Sequence, residues 1–208
     1  MAGFGLPGRM PCAALYRESA VHARSGSSLY LSQAALTDAM GVASATRTAL
    51  CIGHPGHELR VLEWVRRNRP LTDVLTDGSG PNRTSRFHLT EQVLTEAGAR
   101  VGGMRGDFPD RQFYAMILRR DPGPFIELAR QLVDEWIAEQ IDTVAGDMLE
   151  GFSPTHDLCR MIINAACERI EHVTGRRLLN LEFAVETSRP PKEHSRATVI
   201  SMDEAQFA

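Results

Sequence analysis

The sequence has no run of 18 apolar residues, and residues 1–28 lack the continuous apolar core of a secretory signal. Lysine is almost absent, since Lys192 is the only one and arginine carries the remaining positive charge. There is no excess of basic charge, because the net charge is −3 and the pI is about 6.2. These absences argue against nucleic acid or a membrane as partner. We therefore expect a cytoplasmic protein that acts on a small-molecule substrate.

Paired cysteines are also missing. The four cysteines, Cys12, Cys51, Cys159 and Cys167, do not have the spacing of a zinc ribbon. Cys51 and Cys159 lie in apolar contexts, so we expect reduced and buried thiols rather than disulfides.

The chain length of 208 residues is typical of one domain with a full core. Residues 1–45 are rich in Gly, Ser, Ala and Arg without a sustained apolar period, which predicts a flexible or loosely packed N-terminal arm. A transit peptide would have a similar composition, and residues 29–40 could instead form a short helix packed on the domain. We assign one α/β domain to residues 46–187 and a loosely held tail to residues 188–208.

From residue 46 onward, short apolar runs alternate with helical periods. Strands are predicted at residues 49–52, 73–76, 143–146 and 178–186. Helices are predicted at residues 58–68, from about 85 to just before Gly98, at 111–120, at 125–136 and from 158 onward. The inward face of the first predicted helix is expected to carry Leu59, Leu62 and Val65. That of the second is expected to carry Leu89, Val93 and Leu94. This alternation predicts a Rossmann-like α/β fold, with a mostly parallel sheet and helices on both faces.

Polar side chains follow three of the predicted strands. His54 and His57 follow the first strand, Asp77 follows the second, and Asp147 and His156 follow the third. Because the carboxyl ends of parallel strands meet at one edge of the sheet, these groups are expected to converge there.

Three imidazoles and an open position for water are typical of catalytic zinc, so His54, His57 and His156 are predicted metal ligands. Zinc is the expected cofactor, although imidazoles also suit other divalent transition metals. Glu58, Asp77, Asp147 and Asp157 are candidates to accept the second N–H of a ligating histidine; alternatively, Asp157 only favours a helix dipole.

Several motifs resemble those of one enzyme family. His54-Pro55-Gly56-His57-Glu58 resembles the His-Pro-Asp-Asp-Glu motif of the PIG-L (LmbE-like) zinc-dependent N-deacetylases. Further resemblances, in the family's order, are Thr76-Asp77-Gly78 to a Thr-(Asn/Asp)-Gly turn, Arg86 to an arginine preceding a helix, Phe108-Pro109-Asp110, and Ser153-Pro154-Thr155-His156 to a His-Pro-Asp-His motif. The resemblance covers residues 46–173.

The resemblance implies a metal-dependent hydrolase that removes an acetyl group from an amine, with His54 and His156 as ligands and His57 in the position of a ligand aspartate. Gly56 stands where the family has its general base, and Ser153 stands where it has a histidine that assists the transition state. Asp147, Asp157 or Asp77 would then have to act as the base, with Arg86 and Ser153 as substrate-binding residues.

Two other functions remain open. A metal-binding protein of the same fold without hydrolytic activity would be consistent with the replacement at Gly56. A nucleotide-binding Rossmann-like protein is less favoured, because residues 51–58 contain no Gly-x-Gly-x-x-Gly and two imidazoles would crowd a pyrophosphate.

Overall fold

The computed structural model describes residues 46–186, so the predicted arm at 1–45 and tail at 188–208 lie outside the described residues. The strands are β1 (Thr48–Ile52), β2 (Leu71–Thr76), β3 (Arg100–Phe108), β4 (Thr143–Asp147) and β5 (Leu179–Phe183). The α-helices are α1 (Leu62–Asn68), α2 (Phe87–Glu96), α3 (Asp110–Arg119), α4 (Gly123–Ala138) and α5 (Pro154–Thr174). Two 3₁₀ turns span His57–Val61 and Gly80–Asn82.

All strand pairs are parallel, and the order across the sheet is β3-β2-β1-β4-β5. The chain moves outward from β1 through β2 to β3 and then returns to the other side of β1 to form β4. This reversal creates a crevice beyond the carboxyl ends of β1 and β4, which is where open α/β sheets bind ligands. The predicted α/β fold is confirmed.

Helices cover both faces of the sheet, and β1 is therefore buried along its whole length. Ala49 and Cys51 pack with residues of α3, α4 and α5, whereas Leu50 and Ile52 pack with residues of α1 and α2. Alternate side chains of a strand point to opposite faces, so the apolar run of β1 supplies both cores.

The edge strand β3 is absent from the sequence prediction. Its sequence contains three glycines, and only one of its residues is fully buried, so it lacks the apolar run that predicts the inner strands β1, β2 and β4. Gly102 is needed for packing, because a Cβ atom there would overlap the Asp73 carboxylate. Gly106 has φ of +69° and lies against the backbone of Thr76, where the register between β2 and β3 shifts.

Two of the predicted inward-facing leucines are exposed. Leu59 is 55% exposed because residues 57–61 form a 3₁₀ turn instead of the first turn of the predicted α-helix. Leu89 is 50% exposed because Thr90 and Leu94, four residues apart, form the buried face of α2. Leu62 and Val93 are partly buried, and Val65 is fully buried.

Within residues 46–186, no helix combines the length and the apolar character that a membrane crossing requires.

Candidate metal centre

His54 lies two residues beyond the end of β1 and contacts residues from two other elements. Its Nδ1 atom is 2.7 Å from Thr76 Oγ1 and 3.1 Å from Asp110 Oδ1. The Thr76 hydroxyl donates to the carbonyl oxygen of Gly53, so its oxygen is available to accept from the ring. The hydrogen-bond network therefore assigns the proton of neutral His54 to Nδ1 and leaves the Nε2 lone pair free.

His57 begins the 3₁₀ turn after β1 and contacts the last residue of β4. Asp147 is fully buried, and its Oδ2 atom lies 2.9 Å from His57 Nδ1. The same oxygen accepts the backbone N–H of Gly53 at 2.8 Å. Asp147 thus holds the ring of His57 and the backbone before His54 at the crevice between β1 and β4.

His156 lies in the first turn of α5, close to the loop that follows β4. Its Nδ1 atom is 3.4 Å from Glu150 Oε2, and the Glu150 side chain is almost fully buried. The other oxygen of Glu150 accepts the backbone N–H groups of Val185 and Glu186. Glu150 therefore connects His156 to the segment that follows β5.

The three histidines share one arrangement, since each has Nδ1 against a buried or nearly buried carboxylate. Every hydrogen bond that the three rings make to described residues is through Nδ1. The ring centroids are 5.3 Å apart for His54 and His57, 5.4 Å for His54 and His156, and 4.6 Å for His57 and His156. The predicted trio is brought together, with Nε2 as the nitrogen available to a ligand.

This spacing fits a single cation. An ion held by three imidazole nitrogens at ~2.1 Å in tetrahedral directions would keep the ring centroids about 5 Å apart. A carboxylate on the opposite ring nitrogen is the usual support of a ligating histidine. Nevertheless, in residues 46–186 no group of three or more His, Cys, Asp or Glu side chains is, as it stands, arranged to hold a metal ion. The donor set and ring spacing fit a metal, but the rings would have to adjust to bind one.

Electrostatics around His54 favour the neutral ring. The pKa of His54 is lowered from 6.5 to about 4, mainly by burial. The Asp110 carboxylate opposes this shift, and the neighbouring His57 and His156 add to it. Burial would raise the pKa of Asp110, but the neighbouring Thr76 hydroxyl, the Gly80 N–H and His54 outweigh it, and the net pKa is lowered. At neutral pH His54 is therefore uncharged beside an ionised Asp110, which is the state that can bind a cation.

An open cleft of about 640 Å³ adjoins the histidines. Its walls are formed by His54, Pro55, Gly56, His57, Arg60, Gly80, Pro81, Arg86, Asp110, Arg111, Tyr114 and Val185. His156 is not among them and is only 8% exposed. The cleft is large enough for a small-molecule substrate.

The three carboxylates predicted as general bases already accept hydrogen bonds, either from backbone N–H groups of loops or from a histidine ring. Asp77 accepts the backbone N–H groups of Ser79 and Asp110, and Asp157 accepts those of Glu150 and Gly151. Asp147 lies behind His57 and has no exposed surface. None of the three lines the described cleft, and their catalytic role stays a prediction.

The predicted substrate-binding residues differ in position. Arg86 lines the cleft, and its Nε donates to the carbonyl oxygen of Gly78 at 2.6 Å. Ser153 is buried immediately before α5, where its carbonyl oxygen accepts the N–H of Asp157. Arg86 can therefore meet a ligand, whereas Ser153 is not in the cleft wall.

The loop between the first two histidines has a conformation that favours glycine. Gly56 has φ of 101° and ψ of −14°, and a Cβ atom there would meet nothing within 4 Å. An aspartate at this position would be hindered by the backbone rather than by crowding. Glu58, predicted as a support for a histidine, is buried and instead accepts from the Gly56 N–H and the Thr90 hydroxyl.

Sequence reasoning missed the carboxylate partners of two histidines. Asp110 was noted only as part of a family-like segment, and Glu150 was not singled out. Asp110 lies 56 residues from His54 in sequence, so only the folded sheet edge brings them together. Glu150 lies six residues before His156 in an irregular loop, and that spacing alone does not predict a contact.

Comparisons of this chain with protein-family models, with curated proteins and with solved structures found no match.

Proposed function

We propose that this chain is a metal-dependent hydrolase that acts on an amide of a small polar molecule, in the manner of the N-deacetylases that its motifs resemble. The observation that supports the proposal most strongly is the histidine trio, in which each ring has its Nδ1 against a carboxylate and two of the rings, those of His54 and His57, line an open cleft. Three protein ligands with access for substrate are typical of catalytic rather than structural zinc sites.

His54, His57 and His156 would hold the cation through Nε2. Asp110, Asp147 and Glu150 would keep the rings oriented and make their free nitrogens better donors. Bound there, zinc or a similar divalent ion would supply Lewis acidity, which activates water and polarises a carbonyl group.

Proton transfer is the weaker part of the proposed site. Asp110 is the only carboxylate among the described residues that line the cleft, and its two oxygens already accept from His54 and the Gly80 N–H. Its lowered pKa also makes it a weak proton acceptor. A well-placed general base contributes roughly 10²–10⁴-fold to a rate, so we expect turnover to be slow.

The test begins with metal content. Purified wild-type protein should retain about one equivalent of zinc or another transition metal by elemental analysis, and the His54→Ala and His156→Ala variants should not. His88→Ala is the matched control, because His88 is an exposed histidine outside the cleft. Normal metal content in both site variants would overturn the proposal.

Activity is then measured on a panel of N-acetylated amines that includes amino sugars. Turnover that is lost on chelation, restored by zinc and absent in His54→Ala supports hydrolysis. An unchanged rate after chelation would contradict it.

A second function, metal binding without hydrolysis, is favoured by one observation. Gly56 occupies the position of the family's base in a left-handed conformation that aspartate rarely adopts. Stoichiometric, histidine-dependent zinc binding without turnover on the panel would select this function over the first.

A further inference from the structure

The cleft beside the histidines is basic, although the whole chain has a net charge of −3. Among the described residues, three arginines line it, Arg60, Arg86 and Arg111, together with a single carboxylate, Asp110. Asp110 is ionised beside the neutral His54, but its single negative charge offsets only one of the three guanidinium charges.

Arg60 and Arg111 differ from many other arginines of the chain. Arg100 and Arg130, for example, form ion pairs with Glu139 and Glu127. Arg60 and Arg111 are exposed, and their side chains have neither an ion pair nor a hydrogen bond to any described residue. Like charges gathered in a concave surface repel one another and attract anions.

Chain connectivity ties both arginines to the histidine trio. Arg60 lies in the same 3₁₀ turn as His57, three residues later. Arg111 follows Asp110, the partner of His54, at the beginning of α3. The positions of these guanidinium groups are therefore limited by the elements that hold the histidines.

We infer that Arg60 and Arg111 form an anion-binding subsite, which would bind a phosphate or carboxylate group of the substrate at the mouth of the cleft. A guanidinium group matches either oxyanion with two parallel N–H donors. Tyr114 lines the same cleft and is 38% exposed, so its hydroxyl can add a donor. The inference rests on the proposed function only in assigning the anion to the substrate of the histidine site.

The test uses inorganic phosphate and the full chain after removal of metal by chelation, so that phosphate cannot bind through a cation. Isothermal titration at constant ionic strength should show saturable binding to the wild type. The Arg60→Gln/Arg111→Gln variant should bind phosphate at least about tenfold more weakly, since charge-assisted hydrogen bonds are lost. Succinate in a parallel titration distinguishes a carboxylate from a phosphate preference.

The matched control is Arg66→Gln/Arg169→Gln, which removes the same charge from exposed helical positions outside the cleft wall. It should bind phosphate as the wild type does, and equal thermal midpoints would show that both variants fold. Absence of saturable binding to the wild type for both anions, or an equal loss in the control, would overturn the inference. The zinc content of the wild type is measured separately. A wild type that binds phosphate but does not retain zinc would contradict the proposed function and leave the subsite standing.

Discussion

Two aspartates on the strands that flank β1 are fully buried, but they have different surroundings. Asp73 lies in the middle of β2, whereas Asp147 is the last residue of β4. Asp73 faces the structural core, and Asp147 faces the crevice where the histidines meet. The comparison separates a carboxylate that holds the fold together from one that holds the candidate site.

Asp73 links β2 to two neighbouring elements. It accepts the backbone N–H of Met104 in β3 and the indole N–H of Trp136 in α4, each at 3.2 Å. Burial and the nearby Glu135 carboxylate raise its pKa well above 3.8. Its partners are structural groups, and no imidazole is among them.

Asp147 accepts from an imidazole and from the backbone of the adjacent loop. Burial is the same for both aspartates, so burial alone does not distinguish a functional carboxylate. Position along the strand does, because only the carboxyl ends of parallel strands open onto the crevice.

The largest expected effect concerns acid stability at the site. The folded pKa of His54 is about 4 against 6.5 for a free histidine, so the unfolded state binds more protons between these values. The stability contribution is present above pH 6.5 and is lost as the pH falls to about 4, amounting to about 3 kcal/mol. In metal-free protein, His54→Gln should remove this dependence in urea unfolding measured at several pH values, while His88→Gln should retain it. An unchanged slope in His54→Gln would contradict the expectation.

Asp73 should give the opposite pH dependence. Its folded pKa is raised, so its contribution is fully present below the unfolded value near 3.8 and is lost as the pH rises through the folded pKa. Asp73→Asn should therefore lose less stability than the wild type as the pH rises from about 4. The same unfolding series checks this, and an identical slope in the two proteins would show that Asp73 does not hold its proton on folding.

The two aspartates should also differ in their effect on metal affinity. Asp147→Asn replaces the carboxylate that accepts the His57 N–H with a neutral amide, which is a weaker acceptor and has only one acceptor oxygen. Zinc affinity should therefore fall about 10–100-fold in a competition titration with a chelator. Asp73→Asn is the matched control and should bind zinc as the wild type does. Equal zinc affinities in the two variants would show that Asp147 supports the metal site no more than Asp73 does.

The smallest effects are expected at two buried threonines, one in each region. Thr72 Oγ1 and Thr155 Oγ1 are the buried side-chain oxygens without a hydrogen-bond partner in the described part of the chain. Replacement by valine keeps the shape and removes an unsatisfied hydroxyl, so Thr72→Val and Thr155→Val should each change stability by within about 1 kcal/mol, neutral or stabilising. Denaturant unfolding checks both. A loss of zinc affinity in Thr155→Val alone would show that this hydroxyl, beside His156, serves the site.

The sequence was sufficient for most of the fold where apolar patterns are continuous. β1, β2 and β4 are buried on both faces, so their apolar runs were visible, and α4 and α5 have long helical periods. β3 could not be predicted, because glycines interrupt its apolar pattern. Gly102 allows close packing against Asp73, and Gly106 lies where the register between β2 and β3 shifts. The exposed positions of Leu59 and Leu89 depend on where each helix begins, which the apolar spacing did not determine.

The candidate site was predictable to the level of the histidines. Strand ends predicted that His54, His57 and His156 would meet, and Asp147 was expected among their supports. The partners Asp110 and Glu150, and the cleft arginines Arg60 and Arg111, come from loops and helix starts whose directions are set only by the folded chain.

The central claim is that three imidazoles hold one cation at the crevice between β1 and β4. X-ray absorption at the zinc edge of protein loaded with one equivalent tests it most directly. The account predicts three imidazole nitrogens at ~2.0–2.1 Å, with the remaining position filled by a light oxygen donor. Zinc that is not retained, or that is bound through sulfur or a single imidazole, would contradict the account.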